Sequence, residues 1–324
     1  MYSIRWLCCL ALALPPGGAA AAEKERRFEL RLQVLPEGLA SVSVHGSKTP
    51  FSFSGRTDFS GRMRVRGLRA GPYTVSAVGR DGAEARRTVQ VSPSLADSRG
   101  RIEVTLETSH PETGLSEASR RRALVSAREL SIPDRARREY DEAQRRLGER
   151  DVPGAVKRLK RAVEIAPRFV AAWNNLGTIA YQSRQFEQAA EYFGEALKHD
   201  PEAYEPLVNL GGTLLSLGRP RDALALNRKA VEMRPGDALA NVQLGMNHLR
   251  LGDLGPAEKF LREAKQLDPA HFSNPQLLLA EVYARRGEAP AAAAELEEFL
   301  RLHPDWPEKD RLRQAIQELR AGPR

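Results

Sequence analysis

The chain has 324 residues, 41% of them hydrophobic and 28% charged, with 2 cysteines and a formal net charge of +8. That length and balance fit two ordinary globular domains and exclude collagen-like and low-complexity chains. Both cysteines, Cys8 and Cys9, fall in the first ten residues. The rest therefore lacks the residues for a disulfide, thiol catalysis or cysteine-ligated metal.

In chain order, Arg5 precedes an apolar run from Trp6 to Leu14, then Pro15-Pro16-Gly17-Gly18 and Ala20-Ala21-Ala22. This charged, apolar, small-residue order predicts a secretory signal over residues 1–22, cleaved near Ala22. The run is too short to span a bilayer comfortably, and no later segment is long and apolar enough. A retained N-terminal anchor is the rival reading. Cys8 follows Trp6-Leu7 rather than a small residue, which argues against lipid attachment. An exported chain is the expectation, periplasmic or at the cell surface, with no membrane span in its mature part.

Between Phe28 and Glu107 side chains alternate with period two: Phe28/Leu30/Leu32/Val34, Val42/Val44, Phe51/Phe53, Met63/Val65, Tyr73/Val75/Ala77, Val89/Val91 and Ile102/Val104/Leu106. Turns at Pro36-Glu37-Gly38, Arg80-Asp81-Gly82 and Ser98-Arg99-Gly100 separate these runs. Short, evenly spaced strands of this kind predict a small all-β sandwich over residues 23–108, each sheet with one solvated face. Thr57-Asp58, Gly61, the strand through Met63 and Val65, Leu68, Gly71 and Tyr73 resemble the carboxypeptidase-regulatory-like, prealbumin-type module. The resemblance implies a tight turn at Asp58–Gly61, a strand opened by Gly71, and no catalysis. Arg62, Arg64 and Arg66 share one side of a strand, forming either an anion-binding stripe or a charged outer face that discourages edge pairing. Residues 109–135 read as a linker running into a basic helix.

From there the pattern becomes helical and repeats. Pro167, Pro201, Pro235 and Pro269 stand thirty-four residues apart, with Pro304 one residue late. The fullest copy runs Trp173, Leu176, Gly177, Ala189, Phe193, Ala196, Pro201. Later copies run Leu207, Leu210, Gly211, Ala223, Ala230, Pro235 and Leu244, Gly245, Ala257, Leu261, Ala264, Pro269. A fixed period in this range marks stacked units, each too small to bury its apolar face alone. The word resembles the tetratricopeptide repeat. The resemblance implies an all-α right-handed solenoid of helix pairs over residues 136–305, in units 136–169, 170–203, 204–237, 238–272 and 273–305. Asn227 stands where that word has an aromatic, and Phe299 where it has alanine. Residues 306–324 predict a capping helix with Leu312, Ile316 and Leu319 on one face.

The charge excess is local. Residues 23–107 hold 15 basic and 10 acidic side chains, residues 116–165 hold 14 and 9, and residues 166–284 hold 12 and 14. The solenoid is thus near neutral. The basic sandwich and junction could attract an anionic polymer or carbohydrate, or simply be solvated. Export and the lack of an aromatic-basic motif argue against nucleic acid. Six histidines show no paired-ligand spacing, and neither a phosphate loop nor a Gly-x-Ser-x-Gly motif occurs. No catalytic residue, cofactor or metal is expected, and His248 reads as a packing residue.

The resemblance places partner contacts on the first helix of each unit. Transferred by position, the groove consists of Asn174, Thr178, Tyr181 and Gln182, then Glu205, Val208, Leu215 and Ser216. It continues through Leu239, Val242, Met246, Leu249 and Arg250, and ends with Asn274, Leu277, Glu281 and Arg285. Its middle is apolar, which predicts capture of an apolar helix or extended peptide. Tyr140, Gln144 and Glu205 depart from the carboxylate-clamp pattern and only Asn175 fits, which disfavours a free C-terminal carboxylate as ligand. Two readings follow: a non-catalytic scaffold binding a protein partner through the groove, or a surface-binding module whose basic sandwich attaches to an anionic polymer while the solenoid is a spacer. The competing account of the apolar strip is that residues 115–135, or a second copy of the chain, cover it.

Overall fold

A computed structural model describes residues 27–79, 83–108 and 132–321. The signal-like segment, the Arg80–Gly82 turn and the junction 109–131 lie outside the described residues. Seven strands are followed by eleven helices among those described.

The strands are β1 (Phe28–Leu35), β2 (Ala40–Gly46), β3 (Ser52–Arg56), β4 (Arg62–Leu68), β5 (Gly71–Gly79), β6 (Glu84–Val91) and β7 (Arg101–Glu107). They form a three-stranded sheet, β4-β1-β7, and a four-stranded sheet, β3-β2-β5-β6. β1 pairs antiparallel with β4 and parallel with β7. The alternation seen in the sequence sends Phe28, Leu30, Leu32 and Val34 into one core with Val42, Val44, Val65, Leu68, Tyr73 and Val75.

Thr57, Asp58, Gly61 and Tyr73 hold local structure in place. Thr57 Oγ1 donates to Gly38 O at 2.8 Å and accepts from Ala40 N–H at 2.7 Å. Asp58 Oδ1 accepts from the N–H groups of Ser60 and Arg62, and Gly61 completes the turn at φ 73°. The Tyr73 hydroxyl reaches back to the backbone N–H and C=O of Arg69, both at 3.1 Å, pinning the turn that enters β5.

Arg62, Arg64 and Arg66 are exposed on β4, an edge strand. The stripe is partly neutralised: Glu29 accepts from Arg66 Nε at 3.0 Å and from Arg31 Nε at 2.8 Å. The two pairs, Arg31 foremost, outweigh desolvation and hold the Glu29 carboxyl below its usual range.

The helices are α1 (Asp134–Gly148), α2 (Val152–Ile165), α3 (Val170–Gln182), α4 (Phe186–His199), α5 (Tyr204–Ser216), α6 (Pro220–Met233), α7 (Ala238–Leu251), α8 (Leu254–Leu267), α9 (Pro275–Arg285), α10 (Ala289–Leu302) and α11 (Lys309–Ala321). Odd-numbered α1 to α9 are the first helices of five pairs. Each repeat proline lies two residues past a second helix, and its predecessor is forced out of helical geometry: Ala166, Asp200, Arg234, Asp268 and His303 have ψ between 63° and 93°. The proline carbonyl then serves the next unit. It accepts from Trp173 Nε1, Asn241 Nδ2 and Gln276 Nε2, each at 2.7 Å, at the equivalent place in three first helices.

The small residues set how closely a pair can approach. A Cβ on Gly177 would stand 2.5 Å from the Phe193 ring, and one on Gly245 would stand 2.7 Å from Leu261. In the third pair Asn227 replaces the aromatic. It is fully buried, donates to Asn247 Oδ1 at 2.9 Å, and Asn247 donates to Pro220 O at 2.7 Å. A polar link between units thus stands in for a ring. Phe299 is buried beneath the terminal helix. It packs on α11 with Leu312, Ala315 and Ile316, and Trp306 meets it edge-on at 5.0 Å.

The turn after each first helix contains a left-handed residue at Arg150, Arg184, Gly218, Gly252 and Gly287. Two arginines therefore adopt a conformation that costs a non-glycine residue roughly 1–2 kcal/mol. Arg184→Gly is expected to stabilise the solenoid by about 1 kcal/mol, read as a raised melting temperature. Arg150→Gly should gain less or nothing. Its guanidinium donates to Gly67 O at 3.3 Å and lies 5.3 Å from the Phe51 ring centre, so its side chain ties α1 to the sandwich.

Candidate partner-binding face

The first helices present one continuous face, and neighbouring units are joined across it by polar pairs thirty-five residues apart. Asn175 Nδ2 donates to the Tyr140 hydroxyl at 3.2 Å, Asn209 Nδ2 to Asn174 Oδ1 at 2.9 Å, and the hydroxyls of Tyr181 and Ser216 lie 3.1 Å apart. Tyr181 is 37% exposed, and Asn174 and Thr178 are half-buried.

The apolar groove positions have a different fate. Val208, Leu215, Val242, Leu249 and Leu277 are at most 8% exposed and belong to the clusters that hold adjacent helices together. Leu239 and Met246 are half-buried in the same packing. The expected open apolar strip is therefore helix–helix core. In a tightly wound array each first helix has neighbours on several sides, and a periodicity argument does not count them. Glu281 is also buried and bonded to Arg285, while Glu205 pairs with Arg234 at 3.2 Å.

Among the described residues, the β-sandwich makes contacts on this face; most of the 115–135 segment named as a cover lies outside them. The contacts of the sandwich fall on both rims. At the turn rim, Gln182 Nε2 donates to Gly46 O at 2.9 Å, and Arg150 reaches Gly67. At the proline rim, Asp237 Oδ2 meets Arg86 at 3.2 Å and Asp268 Oδ2 accepts from Thr88 N–H at 3.0 Å. Further along that rim, Asp305 Oδ2 accepts from Ser94 N–H at 3.1 Å and from its hydroxyl. Because the two rims are opposite ends of the first helices, the sandwich crosses their face obliquely. Asp237 also caps α7, its Oδ1 accepting from the N–H groups of Leu239 and Ala240.

Charged and titratable groups gather where the sandwich meets the middle of the face. His271 is 4% exposed, and burial pushes its pKa down to about 3. Arg86 and Lys48 push the same way and Asp237 opposes them. His303 is brought down to about 4 by burial and Lys48. Burial lowers Lys48 and raises Asp268, while hydrogen bonds from Ser94 hold Asp305 low. His248 stacks on Phe260 at 5.9 Å and stays within its own unit. Among the described residues no group of histidine and acidic side chains is arranged to hold a metal ion, and no helix is long and apolar enough to cross a membrane.

Asp237, Asp268, Asp305, His271, Lys48 and Arg86 were not singled out by sequence reasoning. One signal was available: an aspartate adjoins or nearly adjoins several repeat prolines, as in Asp200-Pro201, Asp268-Pro269 and Pro304-Asp305. It shows a row of carboxylates on one rim, but not what the row meets.

These features define a repeat solenoid of stacked helix pairs. The family model for the tetratricopeptide repeat matches residues 140–204, 175–238 and 208–272, so the region carries tetratricopeptide repeats, units that mediate protein–protein interaction. The chain is 35% identical over 95 residues to a Triticum aestivum protein named Hsp70-Hsp90 organizing protein, a match covering 29% of this chain and 16% of that one. It is 29% identical over 150 residues to the Drosophila melanogaster Protein O-mannosyl-transferase Tmtc3, covering 45% of this chain and 16% of that protein. The chain thus spans well under a fifth of either relative. Among solved structures, PilW, titled a widely conserved type IV pilus biogenesis factor, superposes with a TM-score of 0.51 at 22% identity, over 57% of this chain and 88% of PilW. That likeness concerns the fold alone.

Proposed function

We propose that this chain is an exported, non-catalytic scaffold that binds a protein partner on the first-helix face of its solenoid. The single observation carrying this is the half-buried polar row of the second and third units, Asn174, Thr178, Asn209 and Ser216, beside the exposed Tyr181. Amide side chains that both donate and accept suit the backbone of an extended peptide. The ligand is therefore a segment with free main-chain groups rather than a purely apolar helix. The signal-like order of residues 1–22 supports export, and the bonds made by Thr57, Asp58 and Tyr73 support a carboxypeptidase-regulatory-like sandwich ahead of the solenoid. Attachment of the sandwich to an anionic polymer through Arg62, Arg64 and Arg66 is the weaker alternative, since Glu29 sits among them.

The test is affinity capture from the native envelope fraction with the full chain and a Tyr181→Asp, Asn209→Arg variant. Capture should fall at least about tenfold, equivalent to about 1.4 kcal/mol, while the helical circular dichroism signal is kept. Capture unchanged by both substitutions would sink the assignment of this face.

A further inference from the structure

The interface between sandwich and solenoid is unlike the interior of either. Every buried apolar cluster among the described residues lies wholly within one domain: one in the sandwich, the others in the helices. The two domains meet instead through carboxylates, guanidinium groups and backbone amides. One of those carboxylates is poorly satisfied, since Asp268 Oδ1 is buried with no hydrogen-bond partner. Contacts of this composition between domains favour relative motion, because little apolar area is lost on parting and the polar groups regain water.

The element that is held is also distinctive. β6 is an edge strand, so the amides that do not face β5 have no ladder partner. The solenoid supplies partners. Asp268 takes the outward N–H of Thr88, Asp237 takes Arg86 two residues earlier, and Asp305 takes the N–H and hydroxyl of Ser94 just past the strand. Three carboxylates, each from the loop after the second helix of one of three successive pairs, thus read one extended segment by its backbone and one arginine.

We propose that the aspartate row Asp237, Asp268 and Asp305 is a docking site for a single β-strand edge, filled in this chain by β6 as a detachable plug. A partner of the first-helix face gains access when the plug leaves. The competing ligand is an extended segment carrying an arginine two residues before a free main-chain amide. The proposal rests on the reading of that face as a protein-binding surface, but its test needs no outside protein.

The test compares the full chain with an Arg86→Glu, Ser94→Ala variant, in which both altered side chains lie outside the sandwich core. Amide hydrogen exchange at Thr88 reports docking, and a labelled peptide of residues 84–94 reports vacancy of the row. Docking predicts that the variant exchanges Thr88 at least about tenfold faster, and that the peptide binds the variant at least about tenfold more tightly than the unaltered chain. Adding Asp237→Arg should restore slow exchange by reversing the pair. Asp305→Ala is an independent opening variant on the solenoid side. Unchanged Thr88 exchange in both opening variants, or equal peptide binding to closed and opened chains, would overturn the proposal. Failure of partner capture through Tyr181 would leave these readouts untouched and tell against the binding face alone.

Discussion

Phe193→Ala is expected to destabilise the solenoid by about 3–5 kcal/mol, near the top of the range for a single core truncation. Phe193 is 1% exposed, and its ring lies against Gly177, where a Cβ would come within 2.5 Å. Removing the ring leaves a cavity whose opposite wall is bare backbone. Gly177 has no side chain to swing into the space, and α3 and α4 are held by neighbours on both sides. The site therefore collapses poorly, which raises the cost at fixed chemistry. Leu261→Ala in the fourth unit repeats the geometry against Gly245 and should cost somewhat less, about 2–4 kcal/mol. In a repeat array the damage should spread to adjacent units before distant ones. Thermal melting with hydrogen exchange resolved along the chain checks both points. A melting temperature for Phe193→Ala within a degree or two of the parent would contradict this account of the packing.

Acid provides the second large effect. His271 and His303 are buried neutral, with folded-state pKa values near 3 and 4 against an ordinary 6.5. Above pH 6.5 both states are uncharged at these positions and nothing is gained or lost. Below it the unfolded chain takes up protons that the folded chain refuses, so stability falls as pH drops from 6.5 toward 4. Asp268 works the other way, since its raised pKa lets the folded chain protonate first, and it offsets part of the loss. A net loss on the order of 3–5 kcal/mol across that window is expected. The groups facing His271 are Asp237, Arg86 and Lys48, and Lys48 also faces His303. A proton on His271 therefore adds like charge beside two cations at the domain interface, and acid should loosen the docked sandwich before it melts the helices. Denaturant unfolding at pH 7 and pH 4.5 measures the window. A His271→Gln, His303→Gln variant should lose much of the pH dependence. Parallel pH profiles for parent and variant would contradict the assignment.

Legibility differed between the two halves of the problem. Strand alternation and the thirty-four-residue word were readable because both depend on local geometry: period two for a pleated strand, and proline with small residues for a helix pair. The departures were visible as departures but not as solutions. Asn227 could be seen as a missing ring, but its link through Asn247 to Pro220 required the next unit to be in place. Of the groove residues, Tyr181 is exposed and Asn174 and Thr178 are half-buried. Val208, Leu215, Val242, Leu249 and Leu277 proved to be packing residues, because register along a helix does not reveal how many neighbours crowd it.

The amino-acid sequence by itself determined a strand-rich module, the number and phase of the helical pairs, and where each unit ends, since these follow from backbone sterics and apolar periodicity within about forty residues. The tertiary structure alone decided what occupies the first-helix face. Arg86 and Asp237 are 151 residues apart, Thr88 and Asp268 180, and Ser94 and Asp305 211. Single hydrogen bonds to a backbone amide, an arginine and a serine leave no periodic trace. Only the folded arrangement brings an unpaired strand edge to a row of carboxylates.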